Sequence, residues 1–247
     1  MEQQLDQKYR DKIVSLERKV KEQRSETRSA ILEKRKLNIK IEDLENKYDE
    51  ALEECKQKEA YLEMLKQYSQ ISIICGDKED MQMIESLSNT KLPDMKRLSI
   101  TGIKDGLRSL SDFFDNSCPD DLGILSLKSD VMKAIDIGGY LRALTQWFEI
   151  TKTQVSLIGI KASRFDLNDI VKSSSQCNTL ILDSSELEVE GDLDFNIEGI
   201  YKMRVFQIQR CEFIGGEIRK KKKYPLMNVL KAISNSGLKD SIKEIYL

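Results

Sequence analysis

The stretch VSLIGIKASRFDLNDIVKSSSQCNTLILDSSEL, residues 155–187, contains one full structural period. It opens on Val155 and Leu157, two apolar side chains one residue apart, and closes on a second such pair, Leu180 and Leu182. Side chains two apart in an extended chain point to the same face. Each pair therefore predicts a short strand with one buried face. Between the pairs, Leu167, Ile170 and Val171 recur at three- and four-residue spacing, the period of a helix face. The stretch reads strand, helix, strand.

Outward from it the same unit recurs. The further pairs are Ile71 and Ile73, Leu98 and Ile100, Leu125 and Leu127, Phe206 and Ile208, and Ile245 and Leu247. Their second members, with Leu157 and Leu182, are spaced by 27, 27, 30, 25, 26 and 39 residues, a mean of 29. Three places beyond stands a small or apolar residue in most units: Gly76, Ile103, Ile160, Ser185 and Cys211, with Asp130 the exception. Helix faces fill the intervals, as Met81, Ile84 and Leu87, then Leu107, Leu110, Phe113 and Phe114. Leu141, Leu144 and Phe148 follow with Trp147 beside them, and Leu226, Val229, Leu230 and Ile233 close the series. Leu193 to Met203 departs from the pattern, because Leu193, Phe195, Ile197 and Ile200 alternate partly like a strand. A single unit cannot bury its apolar face alone, whereas stacked units share one continuous core.

The quoted sequences VSLIGIKASRF, TLILDSSEL and VFQIQRCEF loosely follow L-x-L-x-x-N/C, and LMNVLKAISNSGLKDSIKEIYL reads as a helix leading into a strand. In this, residues 70–247 resemble the leucine-rich-repeat family, in its longer, ribonuclease-inhibitor-like class. The resemblance implies an α/β solenoid of about six irregular repeats, with short parallel strands alternating with helices. It also implies that the residues alternating with the core pairs line a concave binding face. These are Ile74, Thr101, Lys128, Ile158, Ile181, Asp183, Gln207 and Gln209, interleaved with Ser72, Ser99, Ser126 and Ser156. Three isoleucines in this row are either partner contacts or simply strand formers. The consensus asparagine is largely missing and the repeat lengths vary. The competing arrangement is an ordinary α/β domain with a parallel sheet. That fold uses longer apolar strands and often Gly-rich turns, and no G-x-G-x-x-G or Walker sequence follows any strand here.

Residues 1–69 read as a separate stem. From Tyr9 to Leu65 the chain steps by four and three without slipping, over 57 residues. Thirteen of the seventeen positions are apolar, among them Ile13, Leu16, Val20, Leu37, Ile41, Leu44, Tyr48, Leu62 and Leu65. Charged residues fill most of the remainder, and no Gly or Pro occurs before Gly76. This is the heptad pattern of a coiled coil, roughly 85 Å long at about 1.5 Å per residue. With Ile13 at a, the a series holds Ile13, Val20, Ile41 and Leu62, and the d series Leu16, Leu37, Leu44 and Leu65. β-Branched residues at a and Leu at d favour a parallel two-stranded coil, as does Lys34 at a. Gln23 to Lys34 is a softer segment. The alternative is a long solvated single helix, which needs no sustained apolar seam. The partner is a second copy, giving a parallel homodimer, or another chain, giving a heteromeric coil.

Composition narrows the functional classes. The chain has 247 residues and a net charge of −2, which gives no global attraction for nucleic acid or anionic membrane. No apolar run of about 18 residues occurs, so no membrane partner is expected. The charged N-terminus does not read as a secretory signal. Five scattered cysteines are expected to be reduced thiols. Histidine is absent, which removes the commonest general base and metal ligand. The acidic clusters Glu53-Glu54, Asp120-Asp121 and Glu186-Glu188-Glu190 read as surface charge, and Asp192 and Asp194 beside Gly191 lack calcium-loop order. No catalytic residue, metal or cofactor is assigned.

The basic run Arg219, Lys220, Lys221, Lys222 and Lys223 reads either as a solvated loop or as a nuclear-localisation or phosphate-binding patch. The expectation is a non-enzymatic scaffold for protein partners, cytoplasmic and without nucleic-acid contacts, with cytoskeletal association as a variant of that setting. The alternatives are nucleic-acid or nuclear association through residues 219–223, and a substrate adaptor of a protein-modifying complex.

Overall fold

The computed structural model describes residues 2–67, 69–104, 107–130, 134–214 and 225–247. The chain divides into two compact units, Met1–Lys56 and Gln57–Leu247. Helix α1, Glu2–Gln67, makes up the first unit and continues into the second. Its length follows from sequence, since the run has no Gly or Pro and is rich in Glu, Lys, Gln and Leu, all good helix formers. Exposed ion pairs one turn apart, such as Asp43–Lys47 at 2.9 Å and Arg18–Glu22 at 3.4 Å, each add a few tenths of a kcal/mol at most.

The second unit is an α/β region in which strands and helices alternate. In chain order it runs β1 (Gln70–Ile74), α2 (Lys78–Leu87), β2 (Met95–Ile103), α3 (Arg108–Asn116), β3 (Leu122–Ser129), β4 (Ile135–Asp136) and α4 (Gly138–Ile150). It continues with β5 (Thr151–Ile158), β6 (Ile160–Ala162), α5 (Arg164–Ser173), β7 (Thr179–Asp183), β8 (Glu186–Glu188), β9 (Val205–Gln209) and β10 (Glu212–Ile214). The last elements are α6 (Pro225–Ser234), α7 (Leu238–Ser241) and β11 (Glu244–Tyr246). Among the described residues, one sheet has seven parallel strands in the order β1-β2-β3-β5-β7-β9-β11. A second has four, in the order β10-β8-β6-β4, also parallel.

Register explains why the apolar pairs matter. Ile71, Leu98, Leu125, Val155, Leu180, Phe206 and Ile245 are successive lateral partners, and so are Ile73, Ile100, Leu127, Leu157, Leu182 and Ile208. Apart from Ile245, which remains 39% exposed on the last strand, these residues form two buried columns. Slipping any strand by one residue would turn its pair outward, so the pattern itself fixes the register.

The helices pack on the same side, α2 on α3, α3 on α4 and α4 on α5. Each buries the face that its spacing predicts, for example Leu110, Phe113 and Phe114 on α3 and Leu141, Leu144, Trp147 and Phe148 on α4. Their starts are set locally. Asp77 accepts from the N–H groups of Glu79 and Asp80, and Ser163 and Asp166 form a reciprocal capping box at α5. The thickest part of the core is aromatic. Trp147 lies 5.7 Å from the Phe113 ring and 5.6 Å from Phe114, while its indole N–H donates to the Phe114 carbonyl at 2.8 Å. Tyr140 reaches the preceding loop, donating to the Lys104 carbonyl and accepting from the Leu107 N–H.

One interval carries no helix among its residues. Between β8 and β9, Phe195, Tyr201 and Met203 are buried from irregular backbone, and the Tyr201 hydroxyl donates to the Phe195 carbonyl. Leu193–Met203 is neither strand nor helix.

Left-handed residues recur at or near the ends of large-sheet strands. Gly102, Gly159, Ser184 and Arg210 have φ of 71°, 69°, 49° and 51°, each directly after an outward residue of the same column, Thr101, Ile158, Asp183 and Gln209. Glycine adopts this conformation without strain. At Gly102 a Cβ would also stand 2.8 Å from the Cys75 carbonyl oxygen, a backbone atom that cannot rotate away. Gly102→Ala is expected to lower stability by about 1–3 kcal/mol in denaturant titration. Gly139→Ala is the control, because it sits in α4 with open space around its Cα; there the change is expected to be neutral or stabilising by up to about 1 kcal/mol.

Candidate protein-interaction surfaces

The first surface is the heptad seam of α1. Taken in the single chain, Ile13, Leu16, Val20, Leu37, Ile41, Leu44 and Tyr48 are all between 47% and 67% exposed. At Ile13, Leu16 and Val20 the apolar side chains line a shallow groove edged by Glu17, Lys21 and Arg24. Seven large apolar side chains on one line, each half in water, form a patch of the kind that marks an interaction site. Leu62 differs, since it and Tyr61 are half-buried against the core of the second unit, to which both belong. The side chain of Leu65 lies outside the described residues.

The second surface is the face of the large sheet opposite the helices. Its two columns are Ser72, Ser99, Ser126, Ser156, Ile181 and Gln207, and Ile74, Thr101, Lys128, Ile158, Asp183 and Gln209. Ile74, Lys128 and Gln209 are exposed, and Thr101, Ile158, Ile181 and Gln207 are half-buried. Ile74 is therefore the most open of the three isoleucines, at 55%. Ser156 is buried by its neighbours on the sheet.

Asp183 is also buried, and its carboxylate is already engaged. Arg210 donates to it from Nε at 2.9 Å and from Nη2, and the Ser184 hydroxyl donates at 3.1 Å. The Arg210 hydrogen bonds hold the Asp183 carboxyl below the usual carboxylate range. Nothing in a period-two reading pointed to Arg210, because it acts from a left-handed corner beyond the strand rather than from the strand itself. The pair edges a hollow of about 630 Å³ at the strand ends, lined also by Lys128, Asp130, Ile158 and Glu212. Its lining mixes both charges with apolar surface.

The titratable groups elsewhere follow their surroundings. Burial pushes Cys75 and Cys118 up to about 11 and Cys177 up to about 12, and it raises Cys211 as well. These thiols stay protonated at neutral pH, so they are weak nucleophiles. Among the described residues no group of three or more His, Cys, Asp or Glu could hold a metal ion, and no helix is long and apolar enough to cross a membrane. The basic residues Arg219 to Lys223 lie outside the described residues.

Two measurements check this electrostatic picture. Thiol titration of the native chain, at a dilution where the stem is unpaired, should modify exposed Cys55 first and buried Cys177 last, with Cys177 reacting only on the unfolding timescale. Equal rates at both would contradict the burial of Cys177. The second concerns acid. Hydrogen bonds from Lys172 and Asn196 bring Asp194 down to about 2. A carboxyl depressed in the folded state contributes stability above its unfolded pKa, near 4, that is lost as pH falls through the folded value. Stability should therefore decline from about pH 4 to about pH 2, and Asp194→Asn should flatten that decline.

No family model matches the chain, no curated protein matches it, and no solved structure matches it.

Proposed function

We propose that this protein is a non-enzymatic scaffold, with a stem that pairs as a coiled coil and a leucine-rich-repeat-like solenoid that presents a second binding surface. The observation that carries the proposal is the seam itself, seven large apolar side chains at heptad spacing that stay half-exposed in the single chain. A solvated single helix gains nothing from such a line, whereas a second helix would remove it from water. At about 25 cal/mol per Å² of apolar area, burying such side chains contributes on the order of 1–2 kcal/mol each.

The repeat reading is supported by the sequential parallel order of the large sheet and by the unbroken lateral columns of its apolar pairs. In that architecture the outward columns form the concave face, and Ile74, Thr101, Lys128, Ile158, Gln207 and Gln209 would meet a protein partner. Asp183 would act through its pair with Arg210, shaping the corner rather than binding directly. Raised thiols and the lack of histidine agree with a binding role rather than a catalytic one. A cytoplasmic setting, where the five free thiols remain reduced, fits the same reading.

The test compares the full chain with the double variant Ile41→Asp/Leu44→Asp. The wild type should sediment above the mass of one chain at tens of micromolar, or should retain proteins from extract that the variant does not. The variant should be a monomer with an unchanged thermal transition of the α/β unit. A monomeric wild type that captures the same proteins as the variant would overturn the proposal.

A further inference from the structure

The stem's charges and its softer segment bear on what lies against it. We propose that the occupant of the seam is a second copy of this chain, running antiparallel, with the pairing centred between Arg35 and Lys36. This rests on the coiled-coil reading of the stem, and it replaces the parallel arrangement that the a and d residue types suggest.

The first observation is the column of residues just before each a position. It reads Lys12, Lys19, Glu26, Glu33, Lys40, Lys47, Glu54 and Tyr61, and all but the half-buried Tyr61 are exposed. In an antiparallel pair the two-fold axis is perpendicular to the helices, so this g column of one helix meets the same column of the other, reversed. Centred as stated, Lys19 faces Glu54, Glu26 faces Lys47, and Glu33 faces Lys40. These three contacts join opposite charges, while Lys12 falls opposite the uncharged Tyr61, and symmetry makes each occur twice. In a parallel pair a g residue instead faces the e residue five places on, as geometry requires. There Lys40 meets Glu45, but Lys19 meets Arg24, and Glu26, Glu33 and Lys47 meet Ile31, Asn38 and Leu52. Lys12 also meets Glu17 and Glu54 meets Glu59, so two attractions are offset by two repulsions. Charges at these positions set partner and orientation in coiled coils. Lys47 already contacts Asp43 on its own helix at 2.9 Å, so its contribution would be shared.

The second observation is independent of charge. The weak stretch of the seam, Gln23, Thr27, Ala30 and Lys34, is followed by the bulky stretch Leu37, Ile41, Leu44 and Tyr48. An in-register parallel pair would stack the four weak layers on themselves. In the antiparallel pair an a residue packs across from a d residue, and the same centre places Gln23 against Tyr48, Thr27 against Leu44, Ala30 against Ile41 and Lys34 against Leu37. Every weak layer then gains a large apolar partner, and Cys55 comes to lie against Leu16. One choice of centre satisfies both the charges and the layers.

The test uses the full chain. The two Cys55 thiols would stand about 58 Å apart along the axis, at about 1.5 Å per residue. Mild oxidation with oxidised glutathione should therefore give no Cys55–Cys55 disulfide in the wild type, whereas Leu16→Cys should give a disulfide between residue 16 of one copy and Cys55 of the other, located by peptide mass. In sedimentation equilibrium, Lys19→Glu should weaken dimerisation about tenfold, and adding Glu54→Lys should restore it. A Cys55–Cys55 disulfide, or tighter pairing on Lys19→Glu, would overturn the antiparallel arrangement while leaving a coiled-coil dimer intact. A wild-type chain that is monomeric at tens of micromolar would overturn self-pairing altogether, and the capture comparison above would then decide whether the stem pairs with another protein.

Discussion

The lateral register of the large sheet is the constraint on which the second unit depends. Strands β1, β2, β3, β5, β7 and β9 each place an apolar pair in register on one face, too few to form a core alone. Hydrogen bonding in register aligns them into the columns running from Ile71 to Phe206 and from Ile73 to Ile208. The helices then cover those columns, and the aromatic contact of Trp147 with Phe113 and Phe114 joins two successive helices. The left-handed corners at Gly102, Gly159, Ser184 and Arg210 let the chain turn from the large sheet at the same register level in several units. Burial, hydrogen bonding and backbone conformation thus agree from one unit to the next, as a well-specified fold requires.

Much of this was legible in the sequence because its signals are local. The pairs at Val155 and Leu157 or Leu180 and Leu182 announce strands, and their recurrence announces neighbours. Helix faces were equally plain where side chains such as Leu167, Ile170 and Val171 repeat at helical spacing. The four-stranded sheet was not anticipated. Its strands are two or three residues long, and each buries at most two residues, such as Ala162 or Leu187, too little for periodicity to register. The interval from Leu193 to Met203 also resisted reading, because its buried Phe195, Tyr201 and Met203 are held by irregular backbone. The Asp183–Arg210 contact was invisible for a different reason. Its partners lie 27 residues apart and meet only because adjacent strands bring them together.

The stem differs in kind from the α/β unit. In the latter, apolar pattern and burial coincide within one chain. In the stem the pattern is as regular, yet its side chains from Ile13 to Tyr48 remain half-exposed. In the proposed scaffold a second helix covers that seam. The outward columns of the sheet give a weaker signal, since isolated isoleucines such as Ile74 are ordinary on strands. The proposed function therefore rests first on the seam, with the sheet face as its proposed second surface.

The central claim is that one apolar pattern is satisfied within the chain and the other only by association. Backbone hydrogen exchange on the full chain, followed over a wide range of protein concentration, tests it most directly. Amides of the large sheet should show the same protection at every concentration. Amides between Ile13 and Tyr48 should be protected at high concentration and lose that protection on dilution, as the pair dissociates. Stem protection that stays high even at the lowest concentration would contradict the account.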